Sequence, residues 1–257
     1  MAEISSGTLH LSTALCPRDR DVILKSVEAR LRNPGNSDWT LVATSCVEAG
    51  VDLSFRTALR ERFSTASLIQ VGGRVNRHGE LNDADGGTVL DFSLDSGNGI
   101  IAHPAAKIAA SVLYDHINAG LFKADVVDPA DLVTRAMSSE LRKRAMSEID
   151  PLVRAERARN YPEVADLGRI ITADTRLVIV DPTLRDRIVA RERVDFVSLV
   201  RGSVQIWAKK LDALGVMPVP GRQDVFWWPH EYDPEFLGYM AGALRIQDFI
   251  TTGVAIY

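Results

Sequence analysis

Two short segments hold most of the residues whose types and spacing suit chemistry. The first, Thr44-Ser45-Cys46-Val47-Glu48-Ala49-Gly50-Val51-Asp52, has the form T-x-x-x-E-x-G-x-D. The second, Gln70-Val71-Gly72-Gly73-Arg74-Val75-Asn76-Arg77, has the form Q-x-x-G-R-x-x-R. Ligands of open α/β sheets sit beyond the carboxyl ends of strands. Thr44 and its neighbouring amides there suit a nucleic-acid phosphate. Gly50 permits a tight turn that a Cβ would hinder, and Asp52 can accept a hydrogen bond from a ribose hydroxyl. Arg74 and Arg77, three apart, would share one face of a helix. Two guanidinium forks suit a γ-phosphate, whose charge spreads over three oxygens during transfer. Taken singly, a Gly-Val-Asp is a turn and an arginine pair a solvated helix face. The two segments in this order, each on a fitting element, point to nucleotide and nucleic-acid chemistry.

The elements that must position these segments follow from the pattern around them. Residues 8–15 read as a strand stopped by Cys16-Pro17. Asp19–Arg32 has near-helical apolar spacing, and residues 33–37 form a loop. Trp39–Thr44 is a near-continuous apolar run, as expected of a strand buried on both faces of a parallel sheet. Ser64–Arg74 reads as a helix with Leu68, Ile69 and Val71 inward, and Thr88–Phe92 as another buried strand. Strands alternating with helices predict an α/β layered domain. A boundary is expected within Asp95–Gly99. Beyond it, helices are expected at 103–119 and 129–149, the second capped by Asp128-Pro129. A strand or strand pair follows at 170–180, helices near 182–190, 195–201 and 206–213, and strands near 216–219 and 224–228. The reading is therefore two domains, 1–95 and 96–257, the second of mixed α+β type.

Bulk composition sets limits on function. The net charge of −4 supplies no global field toward nucleic acid, so any such contact is local. Two cysteines, Cys16 and Cys46, are too few for a disulfide framework or a zinc site and fit a reducing, cytoplasmic setting. No signal peptide or 18-residue apolar stretch is evident, so no membrane role is expected. Residues 135–159 hold seven basic and four acidic residues and read as a solvated helix face rather than a DNA track. Trp207, Phe226, Trp227 and Trp228 are expected in the core rather than as a base-stacking platform. His78 is a loop histidine near the second segment, and His230-Glu231 lacks the second histidine of a zinc-protease helix.

The two segments resemble motifs V and VI of superfamily-two helicases. The wording LHLSTALCPRDR, VATSCVEAGVDLSF and SLIQVGGRVNRHGE is similar to the helicase-nuclease of CRISPR type I systems, the enzyme recruited by the Cascade surveillance complex. Asp174-Thr175-Arg176, Val178–Pro182, Arg201–Ile206 and Tyr232–Glu235 also resemble that family's C-terminal region. The resemblance implies a partial RecA-like (P-loop NTPase-type) domain with a parallel sheet over 1–95, followed by an accessory domain. It implies nucleotide contacts at Gly50, Asp52, Gln70, Arg74 and Arg77, catalytic roles for Arg74 and Arg77, and a nucleic-acid contact at Thr44. The implied cofactor is ATP with Mg²⁺, and the implied partners are single-stranded DNA and a Cascade-type complex. Ser45-Cys46 stands where such helicases often carry Gln and Val.

No G-x-x-x-x-G-K-[ST] and no Asp-Glu pair occurs, and no histidine precedes an aspartate. A P-loop needs its lysine and backbone nest to hold phosphates. The expectation is a chain that begins at Met1 inside the second RecA-like domain. It would lack the ATP-binding wall and the HD nuclease and would be catalytically incomplete alone. Two alternatives stand beside it: a separately encoded half that docks on a P-loop partner or on Cascade, and an inert remnant. A sheet missing its first strand further predicts marginal stability for residues 1–95 in isolation.

Overall fold

A computed structural model describes residues 7–33, 35, 38–47, 50–79, 86–94, 106–122, 128–145, 151–167 and 174–250. The chain is an α/β protein with small parallel sheets and one mixed sheet. It divides into two compact units: residues 1–51 with 173–257, and residues 52–172. This partition does not follow the boundary expected within Asp95–Gly99, a segment outside the described residues. The first unit is built from both ends of the sequence.

In the first unit, β1 (Thr8–Leu11) pairs in parallel with β2 (Thr40–Ala43) across α1 (Pro17–Leu31), with Thr8 opposite Thr40 and Leu11 opposite Ala43. Parallel neighbours require such a crossover. Helix α1 starts at Pro17, whose missing N–H costs nothing there, and Asp19 in its first turn complements the helix dipole. Ile23 and Val27 are buried on its inner face. The mixed sheet of this unit has the order β6-β5-β8-β7, from β5 (Thr175–Ile179), β6 (Ser203–Trp207), β7 (Met217–Val219) and β8 (Arg222–Trp227). One core cluster holds Val178, Val204, Ile206 and Trp228 together with Cys16. The other packs Ile179 and Val225 against Leu184 and Ile188 of α7 (Pro182–Val189) and Leu199 of α8 (Phe196–Arg201). Helix α9 spans Met240–Ile250.

In the second unit, β3 (Thr57–Glu61) pairs in parallel with β4 (Thr88–Phe92) across α2 (Thr65–Gly72). Ser64 caps α2, its side chain accepting from the Ser67 amide. Helices α3 (Ala106–Asn118), α4 (Pro129–Ala145), α5 (Pro151–Arg157) and α6 (Tyr161–Leu167) follow. The Ala130 amide donates to Asp128 Oδ1 at 3.1 Å at the start of α4.

Several expectations need correction. Neither β2 nor β4 is buried on both faces; each alternates between exposed and half-buried positions. Val42 and Leu90 are each 49 % exposed, so an apolar run alone did not distinguish a central strand from a half-open one. In α2 the buried residues are Thr65 and Ser67, while Leu68, Ile69 and Val71 are half-buried. Strand β3 was not anticipated: TALRE is short and charged, and its pairing with β4 is a tertiary effect. The helix expected at 206–213 begins instead as β6, whose SVQIW run pairs antiparallel with β5, and only Ala208–Lys210 forms a 3-10 turn. Helices α6 and α9 have no counterpart in the sequence expectations, while α5 falls within the 135–159 stretch expected to be a solvated helix face. Trp228 is buried and Phe226 and Trp227 half-buried as expected, but Trp207 is exposed, with Lys209 over its ring. Among the described residues, no helix is long and apolar enough to cross a membrane, and no cluster of metal-ligating side chains occurs.

Candidate nucleotide and nucleic-acid site

Thr44 and Gly50 belong to the first unit; Asp52, Gln70, Arg74 and Arg77 belong to the second. Thr44 leaves the end of β2 exposed. Its amide donates to the Leu11 carbonyl at 3.1 Å, continuing the β1–β2 ladder by one rung. A 3-10 turn over Ser45–Val47 follows directly, and Cys46 Sγ donates to the Leu11 carbonyl at 3.3 Å. Gly50 has φ +80°, a left-handed conformation that a side chain would strain. Glu48 and Ala49 lie outside the described residues.

A cavity of about 260 Å³ lies in the first unit, lined by Leu11, Pro17, Arg20, Asp21, Cys46 and Val51 among others. Arg20 Nε is buried without a hydrogen-bond partner among the described residues. The cavity joins the start of α1 to the loop after Thr44. Sequence reading passed over Arg20, because a lone arginine in a helix gives no signal until Cys46 and Val51 are placed beside it.

In the second unit, Asp52 and Arg77 form an ion pair, with Asp52 Oδ1 3.0 Å from Arg77 Nε. His78 Nε2 lies 3.8 Å from the same oxygen. The segments carrying them run side by side. The Phe55 amide donates to the Arg74 carbonyl at 2.8 Å, and the Asn76 amide donates to the Phe55 carbonyl at 2.9 Å. These bonds make an isolated parallel bridge between Phe55 and Val75. Arg77 N–H then donates to Ser54 Oγ at 3.0 Å. Gln70 is exposed near the end of α2, and Arg74 is half-buried just beyond its Gly73 cap.

The two arginines therefore do not share a helix face. Helix α2 ends at Gly72, and Asn76, at φ 45°, turns the chain between them. Asparagine tolerates this left-handed region better than most side chains. The spacing rule failed because the helix stopped before the first arginine.

A second polar assembly was invisible in the sequence. Buried Asp19 accepts from Tyr232 Oη at 2.6 Å, from Cys16 Sγ at 3.1 Å and from Arg18 Nε at 3.2 Å. The Cys16 amide donates to Tyr232 Oη at 2.9 Å, and Arg18 also pairs with Asp181, the cap of α7. Burial raises the Cys16 thiol above its usual range, which keeps it a donor. Burial and the bond to Asp19 push the Tyr232 hydroxyl well up. Cys16, Arg18 and Asp19, together with Asp181 from Val178–Pro182 and Tyr232 from Tyr232–Glu235, thus meet in one structural network.

Comparison with known proteins supplies a frame for this geometry. Residues 2–80 match the family described as the CRISPR-associated nuclease/helicase Cas3, C-terminal. The CRISPR-associated nuclease/helicase Cas3 of Haloferax volcanii is 32 % identical over 84 residues, which is 33 % of this chain and 9 % of that protein. The crystal structure of T. fusca Cas3 with AMPPNP is similar over 90 % of this chain and 33 % of its own, with a TM-score of 0.56 and 14 % identity. A CRISPR RNA-guided surveillance complex in a pre-nicking state contains a chain similar over 89 % of this one and 34 % of its own, with a TM-score of 0.55 and 14 % identity. At that identity the structural likeness is one of fold. The chain spans about a third of the length of those solved chains.

Proposed function

We propose, from residues 2–80 carrying Cas3-type C-terminal helicase sequence, that this chain forms the arginine-bearing wall of an ATP-driven DNA translocase in CRISPR defence. Residues 1–95 would supply the remainder of a second RecA-like domain, and residues 96–257 an accessory region, although the compact units divide otherwise. Arg74 and Arg77 face the γ-phosphate of an ATP held, with its Mg²⁺, by a P-loop domain that this sequence does not include. Gly50, Asp52 and Gln70 line the nucleotide side. Thr44 contacts the phosphates of single-stranded DNA, and Arg20 adds a cation to the cavity beside it. ATP binding draws the two walls together, hydrolysis releases them, and the strand advances. A Cascade-type complex delivers the DNA, and the setting is cytoplasmic.

The observation that carries this reading is the meeting of the two motifs: Asp52 from one and Arg77 from the other are 3.0 Å apart. Arginines in such positions contribute about 10³–10⁵ in rate in related phosphoryl-transfer enzymes. The chain alone should therefore show no ATPase activity. Mixing it with the P-loop half of the same system should give DNA-stimulated turnover, and Arg77→Ala should remove at least 10³-fold of it, on the order of an arginine finger's contribution. Turnover from the pure chain that depends on Arg77 would overturn the claim of incompleteness.

A non-catalytic docking module is the second reading. It is favoured by the outer side of β3 and β4, where Leu59, Leu90 and Phe92 are exposed. In that case the chain binds the P-loop half or Cascade, and Arg77→Ala leaves binding and function intact.

A further inference from the structure

Arg77 is tied to the segment after the first motif at two points. Its N–H donates to Ser54 Oγ at 3.0 Å, and its guanidinium pairs through Nε with Asp52 Oδ1 at 3.0 Å. Next to these anchors, Phe55 exchanges backbone hydrogen bonds with Arg74 and Asn76. Val75, between them, is buried. Asn76 then turns the chain through a left-handed conformation, which places the Arg77 amide on Ser54. A guanidinium held at Nε still offers its NH1–NH2 edge as a two-pronged donor. A carboxylate at Nε therefore fixes the plane of the guanidinium and the direction of that edge.

We propose that Ser54 and Asp52 are positioning residues for Arg77. Ser54 fixes the backbone from which the side chain departs, and Asp52 fixes the plane of its guanidinium. Ser54 belongs to neither motif. The role of Asp52 here is toward the arginine, in addition to any contact with a ribose. The proposal rests on the reading of Arg77 as a phosphate-contacting group, and its tests separate the two.

The first test needs no ligand. In the full chain, NMR should find the Arg77 amide and Nε–H protected from solvent exchange. Ser54→Ala should expose the amide, Asp52→Asn should expose the Nε–H, and Ser54→Thr should restore amide protection. Unchanged exchange in both variants overturns the proposal. The second test uses inorganic triphosphate, which has no ribose, as the probe. Ser54→Ala and Asp52→Asn should each weaken its binding roughly two- to fivefold, the range of one exposed pair or hydrogen bond. Ser54→Thr should recover it. In an Arg77→Ala background neither change should have further effect.

An effect of Ser54→Ala that persists without Arg77 overturns positioning. Tighter binding by Asp52→Asn that needs Arg77 also overturns it, since Asp52 would then be blocking the arginine. Equal triphosphate binding by the unsubstituted chain and Arg77→Ala overturns the phosphate role of Arg77. In that event the exchange measurements still decide the positioning contacts.

Discussion

Asp19 is a buried carboxylate with three side-chain donors, and removing one donor is more costly than its single bond suggests. Tyr232→Phe leaves Asp19 short of its 2.6 Å donor and the Cys16 amide without its acceptor. An unsatisfied buried group costs about 1–3 kcal/mol, so Tyr232→Phe should lower unfolding free energy by about that amount in a denaturant titration. An unchanged midpoint would sink this account. Gly238 has φ +58°, and a Cβ there would collide with the Ala14 carbonyl. At this scale the sequence was legible where chemistry is local. Gly50 was read as a turn position, and it has a positive φ. The Asp19 network was illegible because Tyr232 is 213 residues from Asp19, and Asp181 is 163 from Arg18. No local spacing encodes such partners.

Elements with clear punctuation were well read. Ser64, Asp128-Pro129 and Pro182 mark helix starts, and α2, α4 and α7 begin there; Pro17, expected only to stop the preceding strand, in fact opens α1 ahead of Asp19. Strands fared worse, because β3 and β6 are defined by what they pair with. The cap of α7 also carries a pH signal. Burial alone would raise the Asp181 carboxyl, but the bonds from Arg18 and the Thr183 amide outweigh it and hold the group below the usual carboxylate range. A carboxyl depressed in the folded state stabilises fully above its unfolded value, about 4, and loses that contribution as pH falls through its folded value. Stability measured by urea titration should therefore decline below about pH 4. Asp181→Asn should be less stable at pH 7 and show a shallower decline. An identical acid slope in the variant would refute the assignment.

For the molecule as a whole, the sequence placed a division near residue 95, because the strand–helix alternation ends there. The contacts divide the chain differently. The sheet of the first unit draws Cys16 into its core, Arg18 binds Asp181, and Arg201 pairs with Asp21 at 2.7 Å. Cutting at 95 would open that core. A fragment of residues 96–257 should therefore bind a hydrophobic dye and unfold without a sharp transition, while adding residues 1–51 in trans should restore cooperativity. A fragment 96–257 with native-like cooperative unfolding would show that the first 51 residues are dispensable to the sheet. A physical ground for the expected weakness of residues 1–95 alone is that β1 and α1 contact residues past 173, His10 the Phe236 carbonyl and Asp19 the Tyr232 hydroxyl.

That closure from both ends also sets an order in time. During synthesis residues 1–51 emerge before residues 173–257, and the sheet that completes their unit is made only after residues 52–172. At about 5–20 residues per second the wait is roughly 6–24 s. For that interval Cys16, buried in the finished protein among residues of that sheet, and Asp19, which accepts from the Tyr232 hydroxyl, lack those partners. Within this unit the earlier-made segment is thus the one left uncovered, and a chaperone would find its substrate there.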